Sequence, residues 1–253
     1  MLLERKVVLI TGGEDEIAKV TARAFVMAGA KLVFSSSKEE DSEFVRTLVE
    51  AGSTAIFHRV SLISRSDLVE ALIERVVEEF GRLDIVFNNF AEVGERGFLN
   101  QLEEQEAFNT IDTNVFGTWV AMKYEIDQML QNRGGTIINN CCVLSTSPLP
   151  AHSVGSATHH AIAAMTKASA VEYARFNIRI NAISTGFIAT SKTENLNANG
   201  SSNRQPQEES SAIFVPMGRL GRPEEVAKAV LWLSSEEPSF TTGHVFDISG
   251  GFI

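Results

Sequence analysis

Residues 6–13 read KVVLITGG, and this stretch sets the pattern from which the rest of the chain can be interpreted. Residues 6–11 form a short run dominated by apolar side chains, with no alternation of apolar and polar positions. Such a run is typical of a strand that is buried on both faces of a parallel sheet. We therefore predict a buried first strand over residues 6–11, which Gly12 and Gly13 end.

The same kind of run recurs along the chain, and longer helical patterns separate the runs. We predict further strands over residues 31–34, 54–60, 83–88, 136–140, 178–183 and 244–248. The segment from Ser66 to Phe80 carries its apolar residues at the 3.6-residue period of an amphipathic helix. This alternation predicts an α/β fold: one Rossmann-like domain over residues 1–253, a doubly wound parallel sheet of about seven strands with helices on both faces.

Composition and charge exclude several classes of protein. The net charge of −10 argues against a nucleic-acid partner, because phosphate backbones are bound by surplus Lys and Arg. No apolar run reaches the roughly 18 to 20 residues that cross a bilayer, so we expect no membrane span. The only cysteines are the neighbours Cys141 and Cys142, which suits a reducing cytoplasm better than a disulfide framework. We find no His, Cys, Asp or Glu spacing that predicts a metal site.

One polar segment, residues 192–211, has no apolar period. It follows the sixth predicted strand, at the carboxyl edge of the sheet, where open α/β sheets bind ligands. We interpret residues 190–215 as a lid or substrate loop, with a solvated surface loop as the alternative.

Motifs at the ends of the predicted strands occur in a fixed order. They are Thr11-Gly12-Gly13, Asn88-Asn89, NVFG at 114–117, GGTIIN at 134–139, INAISTG at 180–186, Thr242-Gly243 and DISGG at 247–251. Together they resemble the short-chain dehydrogenase/reductase family over nearly the whole chain. The resemblance implies a nicotinamide-dependent oxidoreductase with an Asn-Ser-Tyr-Lys tetrad. It also implies homodimers or homotetramers formed through helices at residues 102–132 and 150–176.

The sequence departs from this family at the tetrad. The resemblance puts Gly155 at the position of the tyrosine, His159 at that of the lysine and Cys142 at that of the serine, and only Asn114 remains. The tyrosine is the family's proton donor and acceptor, and glycine has no proton to give. Ordinary carbonyl reduction therefore lacks its acid.

The cofactor motif is altered as well. Two of its three glycines are replaced, by Glu16 and Ala18, and the first turn carries acids at residues 14–16. Carboxylates there would repel a diphosphate, although acids also complement a helix dipole. We therefore expect no bound cofactor, with NAD(P) as the less favoured alternative. The altered or remaining cofactor positions are Gly12, Glu16, Ala18, Ser36 and Val60.

The missing tyrosine and the missing nicotinamide predict an open cleft at the sheet edge. The candidate catalytic residues are Asn114, Cys142, Ser145, His152 and His159. The candidate substrate pocket consists of Phe90, Gly155, Thr185 and Phe187. A Cys142–His159 nucleophilic pair is one variant, since an imidazolium lowers the pKa of a thiol, and inert core cysteines are the other.

From these residues we predict a non-redox enzyme that needs no cofactor. It would catalyse a cyclisation or cycloaddition, an isomerisation or an elimination of a largely apolar small molecule, as in a biosynthetic pathway. One alternative is a pseudoenzyme that binds a ligand or a partner subunit. The other is an NAD(P)-dependent oxidoreductase with an unorthodox acid such as His159.

Overall fold

The computed structural model describes residues 2–190 and 215–252. The predicted lid at residues 190–215 therefore lies, apart from its two end residues, outside the described part of the chain.

The described residues form a parallel sheet of seven strands in the order β3-β2-β1-β4-β5-β6-β7, which confirms the predicted fold. Strands β5 and β6 run two residues further toward the carboxyl edge than we predicted, so Cys142 and Thr185 end them as a facing pair. The strands are β1 Val7–Thr11, β2 Lys31–Ser36, β3 Ala55–Arg59, β4 Ile85–Asn88, β5 Gly135–Cys142, β6 Ile178–Thr185 and β7 Val245–Ile248.

Helices connect successive strands, as the alternating pattern predicts. A five-residue π-helical turn, Asp112–Phe116, joins α4 to α5. Pro223 opens the last described helix, where its missing N–H costs nothing. The helices are α1 Glu16–Met27, α2 Asp41–Glu50, α3 Ser66–Phe80, α4 Glu104–Ile111, α5 Gly117–Gln131, α6 Ser153–Tyr173 and α7 Pro223–Ser234.

The sheet carries an apolar core on each face, because successive side chains of a strand point to opposite sides. Val8 and Ile10 of β1 pack in the core that α1, α2 and α7 cover. Val7 and Leu9 pack in the core that α3, α5 and α6 cover. Burial on both faces explains why the strands have continuous apolar runs instead of alternating ones.

The strand order reverses direction at β1, which lies between β2 and β4. The loops that follow β1 and β4 therefore leave the sheet in opposite directions, and this is where open α/β sheets bind ligands. Gly12 has a φ of +68°, and a Cβ there would lie 2.5 Å from the backbone nitrogen of Phe90. Only glycine lets these two loops approach so closely.

A buried network of polar side chains lies just below this edge. Asn88 at the end of β4 accepts a hydrogen bond from the Thr11 hydroxyl at 2.8 Å. The Asn88 amide donates to Glu125 of α5 at 3.1 Å and to Asn139 of β5 at 3.0 Å. The network thus ties the first, fourth and fifth strands to α5. Among the described helices, none combines the length and the apolar character that a membrane crossing requires.

Candidate functional site

Gly155 and His159 lie one helical turn apart near the start of α6, and both are buried. A Cβ at position 155 would lie 2.2 Å from the carbonyl oxygen of Val93, in the loop that follows β4. This backbone takes up the space that the small residue leaves. The expectation that Gly155 opens a cleft is therefore wrong, because the loop packs directly against the helix.

Asn114 holds this loop in place. Its side-chain oxygen accepts from the Glu92 N–H at 2.8 Å, and its amide donates to the Glu92 carbonyl at 2.6 Å and to the Thr158 hydroxyl at 2.9 Å. The side chain is fully buried in the π-helical turn. Asn114 therefore fixes the loop against α6. Sequence analysis missed Thr158, because nothing in its local pattern separates it from a core residue.

His159 is 1% exposed, and its Nδ1 accepts a hydrogen bond from the backbone N–H of Cys142 at 3.3 Å. Burial lowers the pKa of His159 to about 4, although the backbone of Glu92 opposes this shift. The ring is thus neutral at neutral pH and carries its proton on Nε2. Nε2 is buried and makes no hydrogen bond of good geometry within the described structure, although the Glu92 backbone favours a proton on the ring. An N–H group without a partner in a buried position is suited to a ligand oxygen.

The two cysteines are free and are held as thiols. Burial raises the pKa of Cys142 to about 12 and that of Cys141 to about 11. The Cys141 sulfur lies 3.3 Å from the Ser145 hydroxyl and 3.2 Å from the Ile183 carbonyl. The predicted thiolate–imidazolium pair does not form, because burial favours the neutral state of both Cys142 and His159.

The remaining candidates lie around this cluster. The His152 ring nitrogen contacts the Pro150 carbonyl at 2.9 Å, at the entry to α6, and Ser145 is buried beside Cys141. The Thr185 hydroxyl donates to the Asn140 amide oxygen at 3.3 Å. Phe187 lines a separate cleft of about 400 Å³ beside the ends of β6 and β7. Asn114, Cys142, Gly155 and His159 are thus brought together, and Phe187 is not among them.

The turn between β1 and α1 is closed by its own acids. Asp15 caps α1 by accepting from the Ala18 N–H at 2.9 Å, and it also accepts from the Asn89 amide at 3.0 Å. Glu14 accepts from the Ser37 N–H at 2.6 Å, beyond the end of β2. These donors face the place where a Rossmann fold holds the diphosphate and the ribose. Carboxylates of the chain therefore already occupy donors that a dinucleotide would use at this turn.

The other cofactor positions are buried. The Ser36 hydroxyl donates to Asp41, which also pairs with Lys19 at 2.7 Å. Val60 lies in the core of the α3 and α5 face, and Phe90 packs against that core. The Phe90 backbone lies against Gly12, and the Phe90 ring lies near Gly117 at the start of α5.

Comparison with known proteins shows the family. Residues 13–253 match the family described as enoyl-(acyl carrier protein) reductase. The chain is 32% identical to the 3-oxoacyl-[acyl-carrier-protein] reductase FabG of Thermotoga maritima, and the match covers 100% of both chains. It is 31% identical to a 2,5-dichloro-2,5-cyclohexadiene-1,4-diol dehydrogenase of Sphingobium indicum, over 99% of this chain and 98% of the relative. The chain therefore belongs to the short-chain dehydrogenase/reductase family, whose members named here are enzymes.

Solved structures agree with these relatives. A structure titled ElxO with NADP bound has a TM-score of 0.87 and 32% identity, and 98% of each chain is covered. A second structure, of an ElxO variant with NADPH bound, has a TM-score of 0.88 at the same identity and coverage.

Two predictions are corrected by these findings. The prediction of a non-redox cyclase, isomerase or lyase is contradicted, because the relatives are named reductases and dehydrogenases. The prediction that no cofactor is bound is contradicted too, because structures similar over nearly the whole length carry NADP or NADPH. The altered motif residues are thus outweighed by a likeness that extends over the whole chain.

Proposed function

We propose that the chain is an NAD(P)-dependent oxidoreductase that interconverts a hydroxyl and a carbonyl group of a small molecule. The observation that carries the proposal is the full-length likeness to enzymes named for this chemistry, at 32% identity to a 3-oxoacyl reductase and 31% to a diol dehydrogenase. The reversal of strand order at β1 supports it, since this is the ligand-binding edge of such sheets.

His159 takes the role of hydrogen-bond donor to the substrate oxygen in this proposal. Its Nε2 proton is buried and makes no hydrogen bond of good geometry within the described structure, at the position where the family resemblance places the lysine. Cys142 fixes the ring through its backbone N–H, and Asn114 fixes the loop that covers the ring. A preorganised donor in a dry site stabilises the charge that develops on a carbonyl oxygen.

The organic part of the substrate lies at the ends of β6 and β7 in this proposal. Phe187 lines the cleft there, with Met217 and residues 247–251 on its other sides. Thr185 ends β6 at the neighbouring position. Ser145 and His152 flank the start of α6 and are proposed as positioning residues only.

Replacing His159 by Phe is expected to reduce kcat about 100-fold or more, because one preorganised donor is worth about that factor. The oxidation of NADPH is followed by its absorbance at about 340 nm, with a panel of cyclic ketones and 3-oxo thioesters as substrates. Since the pKa of His159 is lowered to about 4, its contribution to kcat should not change between about pH 6 and 9. His159→Gln, which keeps an N–H donor, should retain part of the activity.

His160 provides the matched control, because it follows His159 on α6 and its ring nitrogen contacts the Ser156 carbonyl of its own helix at 2.8 Å. His160→Phe should leave kcat unchanged. Turnover by His159→Phe at the wild-type rate would remove His159 from the reaction. If the wild-type chain neither binds nor oxidises NADPH or NADH, the oxidoreductase proposal itself is wrong.

We also propose that the chain self-associates through the outer face of α4, α5 and α6. Phe116 and Trp119 stack at 5.6 Å between ring centroids and are 46% and 50% exposed. Large apolar side chains exposed side by side are typical of an interaction surface. Other large apolar side chains exposed on these elements are Phe108, Ile111, Leu130 and Val171.

Replacing Trp119 by Glu should dissociate the assembly, because a buried charge without a partner weakens an interface strongly. Sedimentation velocity of the wild type and the variant measures the change in mass. Met27→Glu is the control, since Met27 is 81% exposed at the end of α1, away from this face. A wild-type chain that sediments as a monomer at about 10 μM would contradict the proposal.

A further inference from the structure

Two carboxylates at the β1–α1 turn, of Asp15 and Glu14, occupy hydrogen-bond donors at the cofactor edge of the sheet. Asp15 accepts hydrogen bonds from the Ala18 N–H and from the Asn89 amide, on opposite sides of the point where the strand order reverses. Backbone N–H groups at a helix start and an amide beside them are the donors that a diphosphate would use. The Asp15 carboxylate therefore already occupies one donor of each kind, the Ala18 N–H and the Asn89 amide.

Asp15 belongs to a longer line of hydrogen bonds along the carboxyl edge of the sheet. The Thr185 hydroxyl donates to Asn140 at 3.3 Å, the Asn140 amide donates to Asn89 at 2.7 Å, and the Asn89 amide donates to Asp15 at 3.0 Å. The line starts at the end of β6 and reaches α1. Asp15 is its terminal acceptor and its only negative charge. Its four side chains thus bond to one another without a ligand, and the charge lies at the diphosphate end.

Glu14 also occupies a hydrogen-bond donor, on the other side of the turn. Its carboxylate accepts from the Ser37 N–H at 2.6 Å, just after the last residue of β2. In a Rossmann fold this is the place of the ribose hydroxyls. The two acids therefore hold donors at both ends of the space that an adenosine diphosphate unit requires.

We propose that Asp15 is an affinity-setting residue: its carboxylate competes as a tethered anion with the diphosphate of NAD(P), and Glu14 competes in the same way at the ribose. This inference rests on the proposed function, because it assumes that the chain binds NAD(P). Binding requires the Asp15 carboxylate to give up its two donors and to lie next to a ligand of like charge. The chain therefore binds the dinucleotide more weakly than its fold alone would allow.

The test replaces Asp15 by Ser, which still caps a helix but carries no charge. Removing one partly solvated charge within about 4 Å of a diphosphate is expected to tighten Kd for NADPH about tenfold or more. Titration of NADPH fluorescence measures this change without any turnover. Isothermal titration with ADP, which has the diphosphate but no nicotinamide, should show the same fold-change if the effect arises at Asp15.

Two further variants make the result specific. Asp15→Asn removes the charge and keeps the shape of the cap, so it should tighten Kd nearly as much as Asp15→Ser. Glu70→Gln removes one charge from an exposed position on α3 and should leave Kd unchanged. A thermal melt of each variant checks that the helix cap is kept.

The outcomes separate this inference from the proposed function. If the wild-type chain binds NADPH and Asp15→Ser binds it equally well, the competition by Asp15 is refuted and the oxidoreductase proposal stands. If Asp15→Ser binds NADPH and ADP about tenfold more tightly, the inference is supported. If no variant binds NADPH, NADH or ADP, both proposals are overturned.

Discussion

Replacing Glu125 by Gln is expected to raise the free energy of unfolding at pH 9 by about 3 to 5 kcal/mol. Glu125 lies on α5 with its side chain 1% exposed, and the hydrogen bond that its carboxyl accepts from the Asn88 amide is 3.1 Å long. Burial raises the pKa of Glu125 from 4.5 to about 8, and the bond from Asn88 opposes this shift only in part. The folded protein therefore holds a carboxylic acid here at neutral pH.

The pH dependence follows from the two pKa values of this carboxyl. Below about pH 4.5 both the folded and the unfolded chain hold the proton, and Glu125 has no effect on pH-dependent stability. Between pH 4.5 and about 8 only the unfolded chain releases the proton, so folding loses about 1.4 kcal/mol per pH unit. Above about pH 8 both states are ionised and the loss stays at its maximum, which is about 5 kcal/mol.

Urea unfolding of the wild type and of Glu125→Gln at about pH 5, 7 and 9 measures the difference in their free energy of unfolding. These pH values cover the range in which the carboxyl ionises in the unfolded and the folded chain. The two proteins should have similar stability at the lowest pH and diverge as pH rises. Asp127→Asn is the matched control, because Asp127 is an exposed carboxylate two residues further along the same helix. A constant difference between Glu125→Gln and the wild type at every pH would contradict a buried carboxyl with a raised pKa.

Replacing Gly155 by Ala should destabilise the fold by about 1 to 3 kcal/mol, although alanine favours a helix more than glycine does. The added Cβ would lie 2.2 Å from the Val93 carbonyl oxygen, and backbone cannot move aside as a flexible side chain can. Asn114 holds that backbone through both the N–H and the carbonyl of Glu92. Restoring the family's tyrosine as Gly155→Tyr should therefore disrupt the loop and fail to create an ordinary reductase.

Thermal or urea unfolding of Gly155→Ala and Ala157→Gly separates the clash from helix propensity. Ala157 is exposed two residues further along α6, so its replacement by Gly should cost about 1 kcal/mol through propensity alone. If Gly155→Ala is instead more stable than the wild type, the loop shifts at little cost. The close packing of the loop against α6 then does not contribute to the free energy of unfolding.

The sequence predicted the architecture well, because a parallel sheet leaves a clear pattern. Strands buried on both faces need unbroken apolar runs, and the run at residues 6–11 contains β1, Val7–Thr11, whose residues are all buried. Helix α3 begins and ends where its apolar period predicts, at Ser66 and Phe80. These features depend on local periodicity and burial, which a sequence displays directly.

The function was predicted less well from the same sequence. Altered residues at 16, 18, 155 and 159 favoured a non-redox enzyme, whereas the full-length relatives are oxidoreductases with NADP-bound neighbours. A single motif residue is evidence for one contact only. Identity spread over the whole chain reports on the fold and the family together.

By itself, the sequence determined the sheet, its helices and the family, because each rests on patterns that are local or that extend along the whole chain. Only the tertiary structure decided what the altered residues do. Gly155 leaves no cleft because the Val93 backbone fills it, and Asp15 holds donors from two different segments, at Ala18 and Asn89. The contacts of Asp15 with Asn89 and of Gly155 with Val93 join residues more than 60 positions apart, and a spacing along the chain carries no information about them.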